Sequence, residues 1–246
     1  MFQQKSTYMV SFEEIVVYPM QMDYLWFFDE KREKAMRELE KVEERLKAAK
    51  IVLGERFNLL EKLKRSGKFI VGYAGAHGIA NSLQHLIKAA AILKEHHNIH
   101  FLLVGQGPEK QSLQLLAETE EIRNISFLPP VSKTCIPRLL AYIDVAYIGL
   151  KHESLFRFGV SPNKLLDYMM AARPVIHAVA AGNDLVAESG CGISVPPENP
   201  QAIADAILCL FKMSPQERVT VGQKGQKYVK THYDYSRLAK KFLESL

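Results

Sequence analysis

The sequence has little of several features that define particular protein classes. It contains three cysteines, Cys135, Cys191 and Cys209, which are widely spaced and never form a Cys-x-x-Cys pair. A disulfide scaffold and a cysteine zinc site are therefore not expected, and the count suits a reducing cytoplasm. No apolar run approaches the roughly 18 residues that span a bilayer, and the start, MFQQKSTYMV, lacks the pattern of a signal peptide.

The composition itself is that of an ordinary globular protein. Hydrophobic residues make up 48% and charged residues 24% of 246 residues, which suits one or two domains with a real core. The net charge of +5 favours an anionic ligand or an anionic membrane surface, such as the inner face of the cytoplasmic membrane. Zinc-finger spacing, RNP-like aromatic motifs and base-reading basic helices are not found, so a nucleic-acid partner is not expected.

The first 66 residues differ in composition from the rest. Residues 1–28 include a strand-like stretch at 10–19 that ends in a proline, and the segment 29–66 is rich in Glu, Lys and Arg. Within it, apolar residues recur at steps of three and four, which predicts a long charged amphipathic helix with a narrow apolar seam. Either the helix lies across the domain's own surface or it mediates self-association. The seam residues are Leu39, Val42, Leu46, Ala49 and Leu53.

From residue 67 to 246, short apolar runs alternate with amphipathic stretches. The runs are continuous rather than alternating, which is typical of strands buried on both faces of a parallel sheet. We therefore predict an α/β fold with a single doubly wound, Rossmann-like parallel sheet over 67–246. The predicted strands are KFIVGYAG, IHFLLVG, ISFLP, DVAYIGL, PVIHAV and GISV. The predicted helices are SLQHLIKAAAILKEHH (82–97), EKQSLQLLAETE, CIPRLLAYI, PNKLLDYMMAA, NDLVAES, PQAIADAILCLF, SPQERVTVGQKGQKYVKTH and DYSRLAKKFLESL.

In such a sheet, ligands bind beyond the carboxyl ends of the strands. After the first strand, Gly75, His77 and Gly78 form a loop in which backbone amides can approach a phosphate, with the next helix pointing its positive end at it. After the second strand, Gly105 and Gly107 form a similar loop. Tight turns without a ligand would use the same residues, so both interpretations stay open.

Two later loops add charge. Lys133 precedes a helix and can meet an anion. Ser161, Asn163 and Lys164 open another helix, where free amides and a lysine favour a negative group. Asp167 lies one turn further on and can accept hydrogen bonds from sugar hydroxyls. The alternative is a Ser161 cap with a surface pair between Lys164 and Asp167.

Other catalytic and metal patterns are weaker. The Gly-x-Gly-x-x-Gly fingerprint is missing, and Tyr147 and Lys151 match a dehydrogenase spacing but Tyr147 falls in a predicted strand. His96, His97 and His100 form a cluster that we interpret as solvated surface, so no metal and no cofactor are expected. No Ser–His–Asp or Cys–His arrangement can be drawn, and no catalytic residue is predicted.

The ordered motifs together resemble the C-terminal, donor-binding half of family 4 (group 1) glycosyltransferases. They are KFIVGYAG, FLLVGQGPEK, ISFLPPVSKTCIPRLLAYIDVAYIGL, SPNKLLDYMMAARPVI and GISVPPENPQAIADAI. The SPNKLLDYMMAARPVIHA stretch is most similar to bacterial enzymes of the fucosamine-transferring type, and IVVYPMQMD resembles the family's linker, which places Asp23 there. The resemblance implies a GT-B fold, a nucleotide-diphosphate sugar as donor, and a role in surface polysaccharide synthesis.

The sequence also departs from this family. Two family glutamates, eight positions apart, correspond to Gly159 and Asp167, so the carboxylate that contacts the ribose is kept and the one that contacts the donor sugar is not. The family's Arg and Lys after the first strand correspond to Ala76 and about Asn81, which leaves the positive charge to His77, Lys133 and Lys164.

About ten residues precede the linker-like strand, so the acceptor half is expected to be missing. The leading hypothesis is a donor-binding domain that transfers a sugar to a glycan or lipid-linked acceptor but is inactive alone. The alternative is a non-catalytic nucleotide-sugar-binding or assembly subunit that needs a separate acceptor-domain partner. A nucleotide-sugar epimerase is a third hypothesis, and it would need a second domain in the same chain.

Overall fold

A computed structural model of the chain describes residues 37–41, 44 and 57–244. Of the predicted long helix, residues 37–41, 44 and 57–65 are helical, and the remainder lies outside the described residues, as do the strand predicted at 10–19 and Asp23. The chain divides into two units, Met1–Ile51 and Val52–Leu246, and the sheet lies in the second. The helical residues 57–65, here α1, therefore belong with the sheet.

Six parallel strands form one sheet in the order β3-β2-β1-β4-β5-β6. Each predicted strand is present, and β1, β2, β4 and β5 are buried along their whole length, as their continuous apolar runs require. The predicted doubly wound parallel sheet is thus confirmed. The strands are β1 Phe69–Ala74, β2 Ile99–Val104, β3 Ile125–Leu128, β4 Val145–Gly149, β5 Val175–Ala178 and β6 Gly192–Val195.

Helices follow the strands in the positions that the amphipathic stretches predict, and only their ends differ. The helix predicted to reach residue 97 ends at Ile92, because the chain turns there to enter β2. Side chains cap several helix starts: Asp184 caps α6, Asn199 caps α7, and Ser214 forms a capping box with Glu217 at α8. The helices are α2 Gln84–Ile92, α3 Lys110–Thr119, α4 Ile136–Tyr142, α5 Asn163–Met170, α6 Leu185–Ser189, α7 Pro200–Lys212, α8 Pro215–His232 and α9 Tyr235–Glu244.

The sheet has a hydrophobic core on each face. Helices α2, α3 and α7 cover one face, and α1, α4, α5 and α6 cover the other. On the second face, Phe57, Leu60 and Leu63 of α1 are buried. The Lys64 ammonium lies 2.6 Å from the Asp144 carboxylate, which also accepts the Ile70 amide at 2.8 Å. This pair fixes the end of α1 against the start of β1 and β4.

The strand order places a crevice between β1 and β4, because the chain winds outward in opposite directions from these two strands. The first loop does not run directly into α2 as the sequence suggests. A 3-10 turn at Ile79–Asn81 comes first, and Ser82 has a left-handed backbone with φ of 49°, so α2 begins only at Gln84. The positive end of α2 therefore does not follow Gly78 directly.

None of the helices among the described residues is both long and apolar enough to cross a membrane.

Candidate functional site

The two glycine loops lie against each other. The amide of His77 donates to the Gln106 carbonyl at 3.0 Å, and the Glu109 amide donates to the His77 carbonyl at 2.9 Å. A Cβ on Gly105 would overlap the Gly75 carbonyl, and one on Gly107 would overlap the His77 backbone. These two glycines are therefore required by loop–loop packing, whether or not a ligand is bound.

His77 is fully buried beneath these loops. Its ring lies near Tyr73 and Phe127, and neither ring nitrogen has a hydrogen-bond partner among the residues that the structure describes. Burial, with the nearby charges of Lys110 and Lys164, lowers the pKa of His77 to about 4. The imidazole is thus neutral at pH 7, and the positive charge expected of it has to come from the lysines.

Gly78 differs from the other glycines. The nearest atom to a Cβ placed there is the Asn81 Nδ2, at 3.8 Å, so the position borders open space. Its backbone is accessible in the way that close approach of a ligand would need.

Lys164 reaches from α5 to the first loop. Its Nζ donates to the Tyr73 Oη at 2.9 Å and to the Asn81 Oδ1 at 2.6 Å. Both acceptors are neutral, and burial lowers the pKa of Lys164 to about 8. The ammonium is half-buried without a carboxylate among its described partners, so it is available to an incoming anion.

Asp167 lies one turn along α5 and is exposed. Partial desolvation by neighbouring protein atoms raises the pKa of its carboxyl, and the charge of Lys133 opposes that rise. Pro162 occupies the N-cap of α5, and no side chain caps the helix. The alternative interpretation, a Ser161 cap with a Lys164–Asp167 pair, is therefore not what the structure contains.

The chain leading into α5 is held by Asn183. Its Oδ1 accepts the Val160 amide at 2.8 Å, and its Nδ2 donates to the Val160 carbonyl at 3.0 Å. Gly159 has φ of 101°, and a Cβ there would lie 3.1 Å from the Asn183 Oδ1. Only glycine adopts this backbone without strain, which fixes where Ser161 and the helix start are placed.

A cavity of about 860 Å³ opens beyond the carboxyl end of β1, between α4 and α5. It brings together half of the sequence-predicted residues, whereas His77, Gly78, Gly105, Gly107 and Ser161 are not part of its lining. The predicted residues that line it are Gly75, Lys133, Asn163, Lys164 and Asp167.

The cavity also has an apolar wall that the sequence analysis did not identify. Ile136, Pro137 and Leu140 of α4 face Leu166 and Met170 of α5 across it. The spacing of Ile136 and Leu140, one helical turn apart directly after Lys133, is the pattern that could have indicated it. An ammonium, an exposed carboxylate and an apolar wall in one cavity suit a ligand with an anionic part, hydroxyl groups and a flat apolar part.

The positions of Tyr147 and of the three histidines explain the dehydrogenase-like spacing and the histidine cluster in the sequence. Tyr147 lies within β4 and is 1% exposed, so it cannot act as the helical tyrosine of a dehydrogenase. His96 and His97 are exposed, in agreement with the interpretation as solvated surface. That interpretation is wrong for His100, which is buried in β2 with its Nε2 2.9 Å from the Ser126 Oγ. Over the described part of the chain, no three potential ligands are grouped to hold a metal ion.

Comparison with known proteins gives a family match over more than half of the chain. The model of the family described as glycosyl transferases group 1 matches residues 68–213. The match begins just before β1 and ends just after α7, so it covers the entire sheet.

Two curated proteins are similar in sequence. The alpha-D-kanosaminyltransferase of Streptomyces kanamyceticus is 26% identical over 155 residues, which are 62% of this chain and 39% of that protein. The putative colanic acid biosynthesis glycosyl transferase WcaI of Escherichia coli is 29% identical over 144 residues, 57% of this chain and 35% of that protein. The chain thus spans well under half the length of these relatives.

Solved structures share the fold. Anabaena HepE in complex with UDP-glucose superposes with a TM-score of 0.64 at 22% identity, over 77% of this chain and 52% of HepE. The C-terminal domain of a group 1 glycosyl transferase, LpcC of Francisella tularensis, superposes with a TM-score of 0.58 at 23% identity, over 69% of this chain and 88% of that domain.

Proposed function

The chain belongs to the glycosyl transferases of group 1, and on that premise we propose that its sheet domain is the donor-binding half of a glycosyltransferase that uses a nucleotide-diphosphate sugar. The observation that carries this proposal is the cavity at the β1 end, where the Lys164 ammonium and the Asp167 carboxylate face one open space.

Each part of the donor has a matching surface in this cavity. Lys164, with Lys133 on the opposite side, provides charge for the diphosphate, and the exposed carboxylate of Asp167 can accept hydrogen bonds from the ribose. The apolar wall of Ile136 and Leu140 suits the flat face of the base. The complex of Anabaena HepE with UDP-glucose supports uridine as the first nucleotide to test.

The loops around the cavity shape it rather than add charge. Gly75 and Gly78 leave room for the diphosphate to approach the backbone, while Gly105, Gly107 and the neutral ring of His77 hold the first loop in place. Asn163 and Ser161 present the uncapped start of α5 to the same anion.

No carboxylate occupies the position that contacts the donor sugar in the family. The family glutamate expected to contact the donor sugar corresponds to Gly159. Gly159 has φ of 101°, a backbone conformation that a glutamate could adopt only with strain. We propose that the donor sugar is positioned by groups outside this pair of carboxylate positions, and that no protein base or metal is required within this domain.

Transfer to an acceptor requires a second binding surface. Catalysis in this reaction class depends on aligning donor and acceptor and on stabilising the leaving diphosphate. The acceptor surface is proposed to lie on another domain, either of a longer protein or of a partner subunit. The alternative of a non-catalytic binding subunit differs only in whether transfer occurs once that domain is added.

The biological setting is part of the same proposal. The 29% identity to a putative colanic acid biosynthesis enzyme supports a role in surface polysaccharide synthesis. The net charge of +5 suits work at the anionic inner face of the cytoplasmic membrane, where lipid-linked acceptors would be found.

The direct test is calorimetric titration of the chain with UDP and UDP-glucose. We expect micromolar-to-millimolar affinity, and we expect Asp167→Ala to weaken UDP binding by roughly tenfold, because the ribose loses a charged acceptor. Asp205→Ala serves as the matched control, since Asp205 is an exposed carboxylate on α7 outside this cavity.

Two results would contradict the proposal. One is a folded chain that takes up no nucleoside diphosphate at millimolar concentration. The other is an equal loss of affinity in Asp167→Ala and Asp205→Ala.

A further inference from the structure

Two side chains, one from β1 and one from the first loop, converge on a carbonyl of that loop. The Tyr73 hydroxyl donates to the Ala76 carbonyl at 2.7 Å, and the Asn81 Nδ2 donates to the same oxygen at 3.0 Å. These two bonds orient the Tyr73 Oη and the Asn81 Oδ1 toward the Lys164 Nζ, which donates to both. The Tyr73 and Asn81 side chains thus fix the position of an ammonium group that belongs to α5.

The loop has no cation of its own. Its residues from Gly75 to Asn81 include neither lysine nor arginine, and its histidine, His77, is buried and neutral. A diphosphate placed over this loop would therefore meet positive charge only where a side chain is brought in from elsewhere in the fold. Lys164 of α5 supplies such a cation, because its Nζ donates hydrogen bonds to the Asn81 Oδ1 in the loop and to the Tyr73 Oη beside it.

We propose that Tyr73 and Asn81 are positioning residues that hold the Lys164 ammonium over the first loop, so that α5 supplies the charge that the loop itself lacks. This inference rests on the proposed function, because it assigns roles within the same donor site. Neither residue needs to touch the donor, and both act through Lys164.

The arrangement has a physical advantage over a free surface lysine. A lysine side chain loses rotamer entropy when it becomes fixed on a ligand. If the ammonium is already fixed in the folded protein, this entropy is lost on folding and no longer weakens binding. Neutral acceptors fix the ammonium without cancelling its charge, whereas a carboxylate partner would compete with the diphosphate. Gly75 contributes space, since a Cβ there would lie 3.3 Å from the Lys164 Nζ.

The test compares UDP with uridine, which lacks the diphosphate. Calorimetric affinities for both would be measured on the full chain and on three variants, Tyr73→Phe, Asn81→Leu and Lys164→Met. We expect each variant to bind UDP about three- to thirtyfold more weakly, as loss of a hydrogen bond to a charged group implies, while uridine affinity stays unchanged. Tyr142→Phe is the control, because it removes a tyrosine hydroxyl that contacts Glu61.

The double variants distinguish positioning from a general structural role. If Tyr73 and Asn81 act through the ammonium, adding either substitution to Lys164→Met causes no further loss of UDP affinity. A further loss in that background, or an equal loss for uridine and UDP, overturns the inference. Should Tyr73→Phe fail to fold, Asn81→Leu at its half-buried position decides the question.

The outcome separates this inference from the proposed function. If the unmodified chain binds no UDP, the proposed function fails. If it binds UDP and Lys164→Met weakens that binding while Tyr73→Phe and Asn81→Leu do not, only the positioning roles are wrong.

Discussion

The glycines in the loops after β1 and β2 are required for different reasons, although they look equivalent in the sequence. A Cβ on Gly105 would overlap the Gly75 carbonyl, which is backbone and cannot move aside. A Cβ on Gly78 would meet nothing closer than 3.8 Å. Packing therefore requires glycine at position 105, whereas only a bound ligand would require glycine at position 78.

This difference predicts that the same substitution affects stability at Gly105 and ligand binding at Gly78. Gly105→Ala is expected to lower the free energy of unfolding by about 3 kcal/mol, because the two loops must separate. Gly78→Ala is expected to leave stability within about 0.5 kcal/mol but to weaken UDP binding, since the methyl group would hinder the approach of the diphosphate to the backbone of the first loop. Urea unfolding followed by calorimetry measures both, and equal destabilisation by the two variants would refute the distinction.

At the residue scale, the sequence predicted where the loops lie better than what each residue contacts. Lys164 and Asp167 were assigned from their place at a helix start, and the structure does place both in the cavity. The roles of Tyr73 and Asn81 could not be inferred, because their contacts with Lys164 join segments 91 and 83 residues apart. The prediction that His77 carries positive charge was wrong, because the local sequence does not show that two loops bury this side chain.

At the scale of elements, hydrophobic patterning predicted every strand of the sheet and every helix from α2 to α9. Strands buried on both faces give continuous apolar runs, and these cannot be confused with the surface helices between them. The 3-10 turn at Ile79–Asn81 was missed, because three residues are too few to show a period. The long helix at 29–66 lies largely outside the described residues and stays a prediction.

Close packing between α5 and α8 depends on a glycine within a helix. A Cβ on Gly222 of α8 would overlap the carbonyl of Ala172, just after α5. In an exposed helix, Gly→Ala stabilises by about 1 kcal/mol. Gly222→Ala is expected to do the reverse and to lower the unfolding free energy by about 1–3 kcal/mol.

The control for this prediction is Gln223→Ala, at the adjacent exposed position of α8. It is expected to change stability by less than about 0.5 kcal/mol in urea unfolding. A Gly222→Ala protein as stable as the unmodified chain would show that α8 can move away from α5 at little cost.

At the scale of the whole molecule, buried histidines couple folding to pH. Burial lowers the pKa of His77 and of His100 to about 4, and it also lowers the pKa of His177. In the unfolded chain these imidazoles bind protons near pH 6.5. Above pH 6.5 these histidines do not reduce the free energy of unfolding. As the pH falls toward 4, the unfolded chain binds protons that the folded chain does not, and the free energy of unfolding decreases.

We therefore expect the free energy of unfolding to fall between pH 6.5 and 4, with His77 and His100 each contributing on the order of 3 kcal/mol. Urea unfolding across this range is the measurement. His100→Gln should show a shallower pH dependence, whereas His96→Gln, at an exposed position, should follow the unmodified chain. Identical slopes for all three proteins would show that His100 is protonated in the folded state.

The tethering of Lys164 has a consequence for how this protein can change over evolutionary time. Loss of either acceptor removes one of the two hydrogen bonds that hold a half-buried ammonium, and loss of the lysine leaves the Tyr73 and Asn81 oxygens without that donor. Substitutions at these three positions are therefore expected to depend on one another. Homologues that carry a different residue at position 81 are expected to have replaced the lysine as well, and to draw their cation from another part of the gene.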